Sequence, residues 1–515
     1  MSFAPFAAVW FLFVVAAGIC FLAGRRPRIH MVVALTVPVI ALALWSLFRP
    51  DEIPPTLEFA GRQWAVTGHS WYLTGTILIL ALAAAVRSVM NQQPPLAARQ
   101  SALSLLLVAA TLPVVWAADD RTRVMGLALF AMAMIVMALI FARESVPTGT
   151  GGKQMDWGNL AAVFSLWLAS ALPAGRFAFG VLAATLLVIT QGYNLVQNHN
   201  EDHPARIMLM GLPVIVAGAI LAATIFSSIP SAVELAAGTA IGLLGMVIGL
   251  FRIWQHSPVF PPRPVSLVLS GLALTAAIWA GQDALLAGVR LAVFVPVLLI
   301  LTASLPKESL SPASRLLEDG PNGGVPSKLR MTPGLLAMLI ATLVSAGLPL
   351  TVGFNTLAPL YDAWQTAGGW VLLIVVSALW SLLLAAMAVR GRTLARAGWA
   401  DRDAWLRGTV LLVPTLALLS LDTAKFNAGW AAWLAIAISA LASVIIGRFA
   451  TSTDALGGLL REAVKFPQSA TQLKDRLRQA RETAAGGMAE ALAILDGENG
   501  LLWVLGLLLL LLWIA

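Results

Sequence analysis

Two oppositely charged residues seven positions apart, Asp283 and Arg290, stand at the start of the apolar run that begins at Ala284. Seven residues are close to two helical turns, so the pair shares one face of a helix. A carboxylate and a guanidinium inside an apolar bundle would be costly, and ionisable groups in that setting mark ion or proton paths by default. The simpler reading is an early helix end from which Arg290 snorkels outward, and the sharper one is a buried pair tied to transport. Asp362, which follows Tyr361, and Gln191 lie near the ends of runs and read first as interfacial or capping groups. Asp283, Arg290 and Asp362 are therefore the ion-path candidates. Glu234, after Pro230 and Ser231, reads as a first-turn acid that stabilises a helix N-terminus.

Other chemistries find little support. No Lys stands in the middle of an apolar run, no His lies in one, and no Asp or Glu lies deep in one. A single cysteine, Cys20, excludes an internal disulfide, and with five His it makes a Cys/His metal site a poor reading. The sequence has no Gly-rich phosphate loop, no paired deep carboxylates and no pair of haem-ligand histidines. No cofactor, no metal and no intrinsic catalysis are expected.

The elements that must position these residues follow from composition. Of 515 residues 59% are hydrophobic and 11% charged, whereas a soluble domain carries about a quarter charged residues. Backbone polar groups cannot stay unpaired in hydrocarbon, so each apolar run of roughly 16 to 22 residues reads as a helix. Runs start near Pro5, Met31, Trp71, Ser101, Met125, Trp157, Phe177 and Met208, then near Ser231, Pro264, Ala284, Leu335, Gly369, Gly408, Ala428 and Gly500. The expected fold is all-α, a polytopic membrane bundle of about 14 to 16 transmembrane helices.

Orientation follows from charge. The first run is preceded by no basic residue and followed by Arg25, Arg26 and Arg28, the reverse of a secretory signal peptide, so it reads as a retained anchor. Placing the N-terminus outside puts 26 of the 33 Lys and Arg in cytoplasmic connections. The other seven, outside, are Arg49, Arg62, Arg121, Arg123, Arg176, Arg290 and Lys425. The expected location is the inner (cytoplasmic) membrane. The net charge of +8 then reflects topology, and no nucleic-acid partner is expected.

Three domains are expected, with boundaries at 1–450, 451–499 and 500–515. The first is the helical bundle. Residues 57–66 alternate about a Gly61-Arg62 turn and predict a small outer hairpin, and Lys307 to Arg330 predicts a flexible cytoplasmic crossing. Gly238, Gly242, Gly245 and Gly249 form a smooth stripe suited to close helix packing. In the second domain Leu473, Leu477, Ala480, Ala484, Met488, Leu492 and Leu495 oppose Lys474, Arg478 and Arg481. That spacing predicts an amphipathic helix on the membrane or on a partner subunit. The last is a C-terminal anchor.

One stretch is more specific. Val344 to Leu357, VSAGLPLTVGFNTL, resembles the broken-helix motif of the antiporter-like subunits of NADH-quinone oxidoreductase (complex I) and of multisubunit Na+/H+ antiporters. The matching residues are Ser345, Gly347, Pro349, Gly353 and Phe354. Gly and Pro interrupt a helix inside a bundle, where freed backbone groups can face an ion path. The resemblance implies an antiporter-like bundle with an N-terminus outside, an outer hairpin, a lateral amphipathic helix and a terminal anchor. It also implies other membrane subunits as partners.

The departures carry the functional reading. The family's distal relay Lys or Glu falls on Leu357. The run from Met125 to Ile140 has no counterpart of the family's Glu, and Met208 to Ile229 lacks its central Lys and retains only Gly211 and Pro213 of the broken-helix character. A proton relay needs titratable groups within hydrogen-bond or one-water reach. The expectation is an antiporter-like subunit degenerate in proton translocation and structural in role. The competing readings are an independent secondary transporter, which would need polar groups at the midplane, and a polytopic glycosyltransferase using a lipid-linked donor. Asp51, Glu52, Asp119 and Asp120 would be the latter's outer-loop acids.

Overall fold

The computed structural model describes residues 3–23, 26–50, 53–59, 61–90, 94–144, 157–190, 205–227, 230–255, 262–303, 333–349, 351–396 and 428–449. The chain divides into two units, Met1–Thr451 and Ser452–Ala515. The second unit lies outside the described residues, as do the run from Gly408, Gln191 and the Lys307 to Arg330 crossing. The amphipathic segment and the terminal anchor fall within that second unit.

Among its described residues the first unit is helical apart from one hairpin and short connections. Its helices are α1 (Ala4–Leu22), α2 (Pro27–Leu47), α3 (Gly68–Met90), α4 (Pro94–Trp116), α5 (Asp120–Glu144), α6 (Trp157–Ala171), α7 (Arg176–Thr190) and α8 (Ala205–Ile225). Then come α9 (Ala232–Gln255), α10 (Pro262–Ala280), α11 (Gln282–Ala303), α12 (Pro333–Ser345), α13 (Val352–Thr366), α14 (Trp370–Arg396) and α15 (Trp430–Phe449). Among the described residues nine helices are long and apolar enough to cross a membrane, and four shorter apolar segments accompany them. The polytopic all-α bundle expected from composition is thus the observed fold.

Several helices, among them α2, α3, α4, α5 and α8, begin three to seven residues before their apolar runs. Proline opens α2, α4, α10 and α12, where its missing N–H costs nothing. Hydropathy marks only the part of a helix that meets hydrocarbon, and the polar turns beyond it were read as connections. His30 and His69 therefore lie within helices, with His30 buried in the first turn of α2. Ser231 and Glu234 exchange side-chain to backbone hydrogen bonds at 2.8 and 3.3 Å, so Glu234 completes a capping box before α9. The glycine stripe of α9 seats on α10: a Cβ on Gly242 would press on the Gly271 carbonyl at 2.8 Å.

α11 is the most enclosed span, with 94% of its apolar length buried. It packs on α8, α10, α12 and α13 and touches α3. β1 (Thr56–Phe59) and β2 (Arg62–Ala65) pair antiparallel with Phe59 opposite Arg62, and Gly61 turns with φ +70°. This hairpin is fastened to the α4–α5 connection. Gln63 N–H donates to Asp119 Oδ2 at 3.3 Å and to Thr122 Oγ1 at 3.1 Å, and Ala118 N–H donates to the Gln63 carbonyl at 3.0 Å.

Asp119 also caps α5, accepting from Thr122 N–H at 2.8 Å and from Thr122 Oγ1 at 2.6 Å. Burial pushes its carboxyl upward, but these hydrogen bonds and that from Gln63 outweigh burial and hold it below the usual carboxylate range. A depressed folded-state value means stability present above the unfolded value, roughly 3.9, and lost as pH falls through the folded one. Asp119→Ala is expected to cost about 1 kcal/mol, the worth of a helix cap. Unfolding temperatures of both proteins in mild detergent should differ by a constant amount down to pH ~5 and converge only below the ordinary carboxylate range. A gap that closes already between pH 7 and 6 would rule out this assignment.

Candidate functional site

The motif singled out in the sequence is a helix break. α12 ends at Ser345, Gly347 turns the chain with φ +73°, and α13 starts at Val352. Gly347 N–H closes onto the Val344 carbonyl at 3.1 Å, and Thr351 caps α13 by accepting from Phe354 N–H at 3.4 Å. Pro349 lies in the turn, where it has no N–H to leave unpaired. Gly353 faces the Val344 carbonyl so closely that any Cβ would collide with it. Phe354 is buried and tilts against Trp433 of α15 with ring centroids 5.1 Å apart. The apolar run from Leu335 is therefore two helices, broken where the motif predicted.

The surroundings of the break are closed. Trp380 Nε1 of α14 donates to the Ser345 carbonyl at 2.7 Å, taking up an acceptor that the break frees. Leu357 is fully buried, and its Cδ1 lies 3.2 Å from where a Cβ on Gly347 would stand. One turn further, the Tyr361 hydroxyl is buried beside the side chains of Ser377 and Ser439 without a well-aligned hydrogen bond to either. Asp362 is half-buried, and both its carboxylate oxygens accept from Gly429 N–H at 3.0 Å, immediately before α15.

A second locus lies between α3 and α11. Arg290 is 1% exposed, which overturns the snorkelling reading. Its Nε donates to Thr76 Oγ1 at 3.1 Å, and its guanidinium lies 3.3 Å from the centre of the Tyr72 ring. Three turns along the same face of α3, Arg87 is equally buried and donates from Nη1 to the Ile300 carbonyl of α11 at 2.9 Å. Asp283 is exposed in the first turn of α11, within electrostatic reach of His69. Arg87 was missed because it ends its apolar run and so counted as a loop charge. The signal available was its spacing of eleven residues from Thr76, which puts both on one face.

Chemically the two loci have the same limitation. Among the described residues the fully buried charged side chains of these loci are arginines, which stay protonated and exchange no proton near neutral pH. Hydroxyls such as those of Tyr361, Ser377 and Ser439 can donate and accept hydrogen bonds but do not ionise in that range.

The fold is that of known membrane complexes. A chain of the Mrp complex from Dietzia sp. DQ12-45-1b aligns with 98% of this chain at TM-score 0.63 and 14% identity, and this chain spans 62% of that one. A chain of the membrane-bound sulfane sulfur reductase, an archaeal respiratory membrane complex, aligns with 98% of this chain and 99% of its own length at TM-score 0.55 and 14% identity. No protein-family model matches the sequence, and no curated protein is similar to it. The chain thus shares the fold of these two membrane-complex chains.

Thr76 and Tyr72 serve the Arg290 charge in a dry setting, so removing them while keeping the charge is expected to be worse than removing the charge. Thr76→Val with Tyr72→Leu should cost about 1–3 kcal/mol, seen as a lower unfolding temperature in detergent, and Arg290→Met should cost less. The reverse order would refute this account of the seam.

Proposed function

We propose that the chain is a non-conducting, antiporter-like subunit of a membrane complex, serving as a structural element. The observation that carries this reading is Leu357. The resemblance assigns a relay Lys or Glu to that position, and here an aliphatic side chain is buried against the Gly347 turn. Arg290 and Arg87 support it, because fixed positive charges along the α3–α11 seam oppose the entry of cations. Asp362 is engaged in holding the start of α15, which fits a packing role better than an ion path. The two proteins of similar fold belong to multi-component membrane assemblies, which favours other membrane subunits as this chain's partners.

In this reading the protein lies in the inner membrane with its N-terminus outside, and the segment from Thr471 to Leu495 braces neighbouring subunits along the cytoplasmic face. No intrinsic catalysis and no cofactor are assigned to it. Affinity purification in mild detergent identifies the partners.

The conduction test uses the purified chain in vesicles containing a pH dye, with an imposed gradient and a protonophore control. Proton movement is expected to match protein-free vesicles. Sustained proton or Na+-coupled flux from this chain alone would overturn the proposal and turn attention to Asp283, Arg290 and Asp362 as a path.

The orientation has its own test. With buried Cys20 replaced by Ala, Ser311→Cys should resist a membrane-impermeant thiol reagent added to intact cells and react after permeabilisation. Labelling in intact cells would reverse the topology.

A further inference from the structure

A cavity of about 450 Å3 opens at the hairpin end of the bundle between the start of α5, the start of α7 and the end of α8. This volume is in the range of small-molecule sites. Two guanidinium groups and two carboxylates line it: Arg123, Arg176, Asp119 and Asp120. Asp120 is shared, accepting from Arg123 Nη1 at 2.6 Å and from Arg176 Nη2 at 2.7 Å. One carboxylate thus serves two arginines, and both stand in the first turn of a helix, where the backbone already presents positive ends. Arg176 Nε–H is shielded from solvent and donates to nothing among the described residues. Asp120 is the carboxylate in contact with both guanidinium groups; Asp119 adds a weaker attraction on Arg123, whose Nη2 also donates to the Ala117 carbonyl at 2.9 Å.

The other side is different. Asp119 lies at the same cavity, and its carboxylate, while accepting from Thr122 and Gln63, brings a negative charge to that side. The remaining wall is mostly apolar, with Ala222 at the end of α8, the exposed ring of Phe226 just beyond it, and one hydroxyl, that of Ser227. A separated positive and negative end beside an apolar wall, at the level where spans finish, matches a zwitterionic lipid headgroup with its chains leaving along the wall. We propose that this cavity binds a phospholipid with a primary-ammonium headgroup, the phosphate held by Arg176 and Arg123 and the ammonium by Asp119. A primary ammonium donates hydrogen bonds to a carboxylate, and a trimethylammonium has no N–H to donate.

The test is unfolding of the purified full chain in detergent, titrated with short-chain phosphatidylethanolamine, short-chain phosphatidylcholine, free phosphoethanolamine or inorganic phosphate. The ethanolamine lipid should raise the unfolding temperature at lower concentration than the choline lipid, and the two soluble phosphates should act weakly or not at all. Arg176→Gln should weaken the ethanolamine lipid by about tenfold or more, the worth of a hydrogen bond to a charged group. Asp119→Asn, which keeps the α5 cap, should leave lipid binding but remove the preference for ethanolamine over choline. Arg176→Lys, keeping the charge, should fall between wild type and Arg176→Gln, and lipid-free unfolding temperatures establish that each variant is folded. Equal responses to both lipids in the wild type, an undiminished response in folded Arg176→Gln, or equal stabilisation by free phosphoethanolamine would each overturn the assignment. The last outcome would give the cavity to a soluble phosphate ester.

Discussion

A charge that cannot be neutralised sits inside the most enclosed helix, and much of the packing is a response to it. An arginine keeps its proton at any physiological pH, so Arg290 cannot escape the cost of burial by losing its charge. It has to be served by neighbours. Thr76 and Tyr72 do so from α3, one through a hydrogen bond and the other through the face of its ring. α3 is thereby tied to α11 by long side chains across a gap that its backbone barely bridges. Arg87 repeats the arrangement three turns along, against the Ile300 carbonyl. Buried ionic groups add little net stability compared with apolar replacements, so the consequence of this seam is electrostatic more than cohesive.

The break between α12 and α13 presents the same constraint in neutral form. Interrupting a helix in a dry bundle frees backbone donors and acceptors that must be paired again. Trp380 takes the Ser345 carbonyl, Thr351 takes the Phe354 amide, and Gly347 folds back onto Val344. In a conducting path, water or an ion would share in that pairing. Here the Trp380 and Thr351 side chains and the Gly347 backbone do it, and Leu357 is buried against the Gly347 turn. The break and the arginine seam meet on α11: Thr356, in the turn before Leu357, lies 3.4 Å from where a Cβ on Gly288 would stand, two residues from Arg290.

Fold class was legible because it depends on one-body quantities. Apolar run length and the alternation around Gly61-Arg62 report a residue's own solvation, and among the described residues helices and the hairpin formed around the positions these marked. The break was legible for a similar reason, since Gly347, Pro349 and Gly353 act on the backbone that carries them. The candidate site was less legible because burial of a charge is a pairwise property. Arg290 reads as snorkelling until Tyr72 and Thr76, more than two hundred residues away, are brought beside it. Asp120 read only as an outer-loop acid, and it binds Arg123 in its own helix while Arg176 from α7 shares it. No spacing rule connects residues 120 and 176.

These observations change what the broken helix is for. A conducting break must hold its freed carbonyls loosely enough to exchange partners with a passing ion. At this break the freed groups are fixed from several directions at once. Gly353 admits the Val344 carbonyl at a distance no larger residue would allow, and the Trp380 indole closes over Ser345. Phe354 locks the start of α13 onto Trp433, while Asp362 at its far end holds the amide that precedes α15. Such over-determination is how locally unfavourable backbone persists. It makes the break a joint that fixes α12, α13, α14 and α15 to one another, with α11 behind them. A rigid joint of this kind fits the structural role proposed above, because it holds these helices in one arrangement, whereas an ion path needs ligands that exchange.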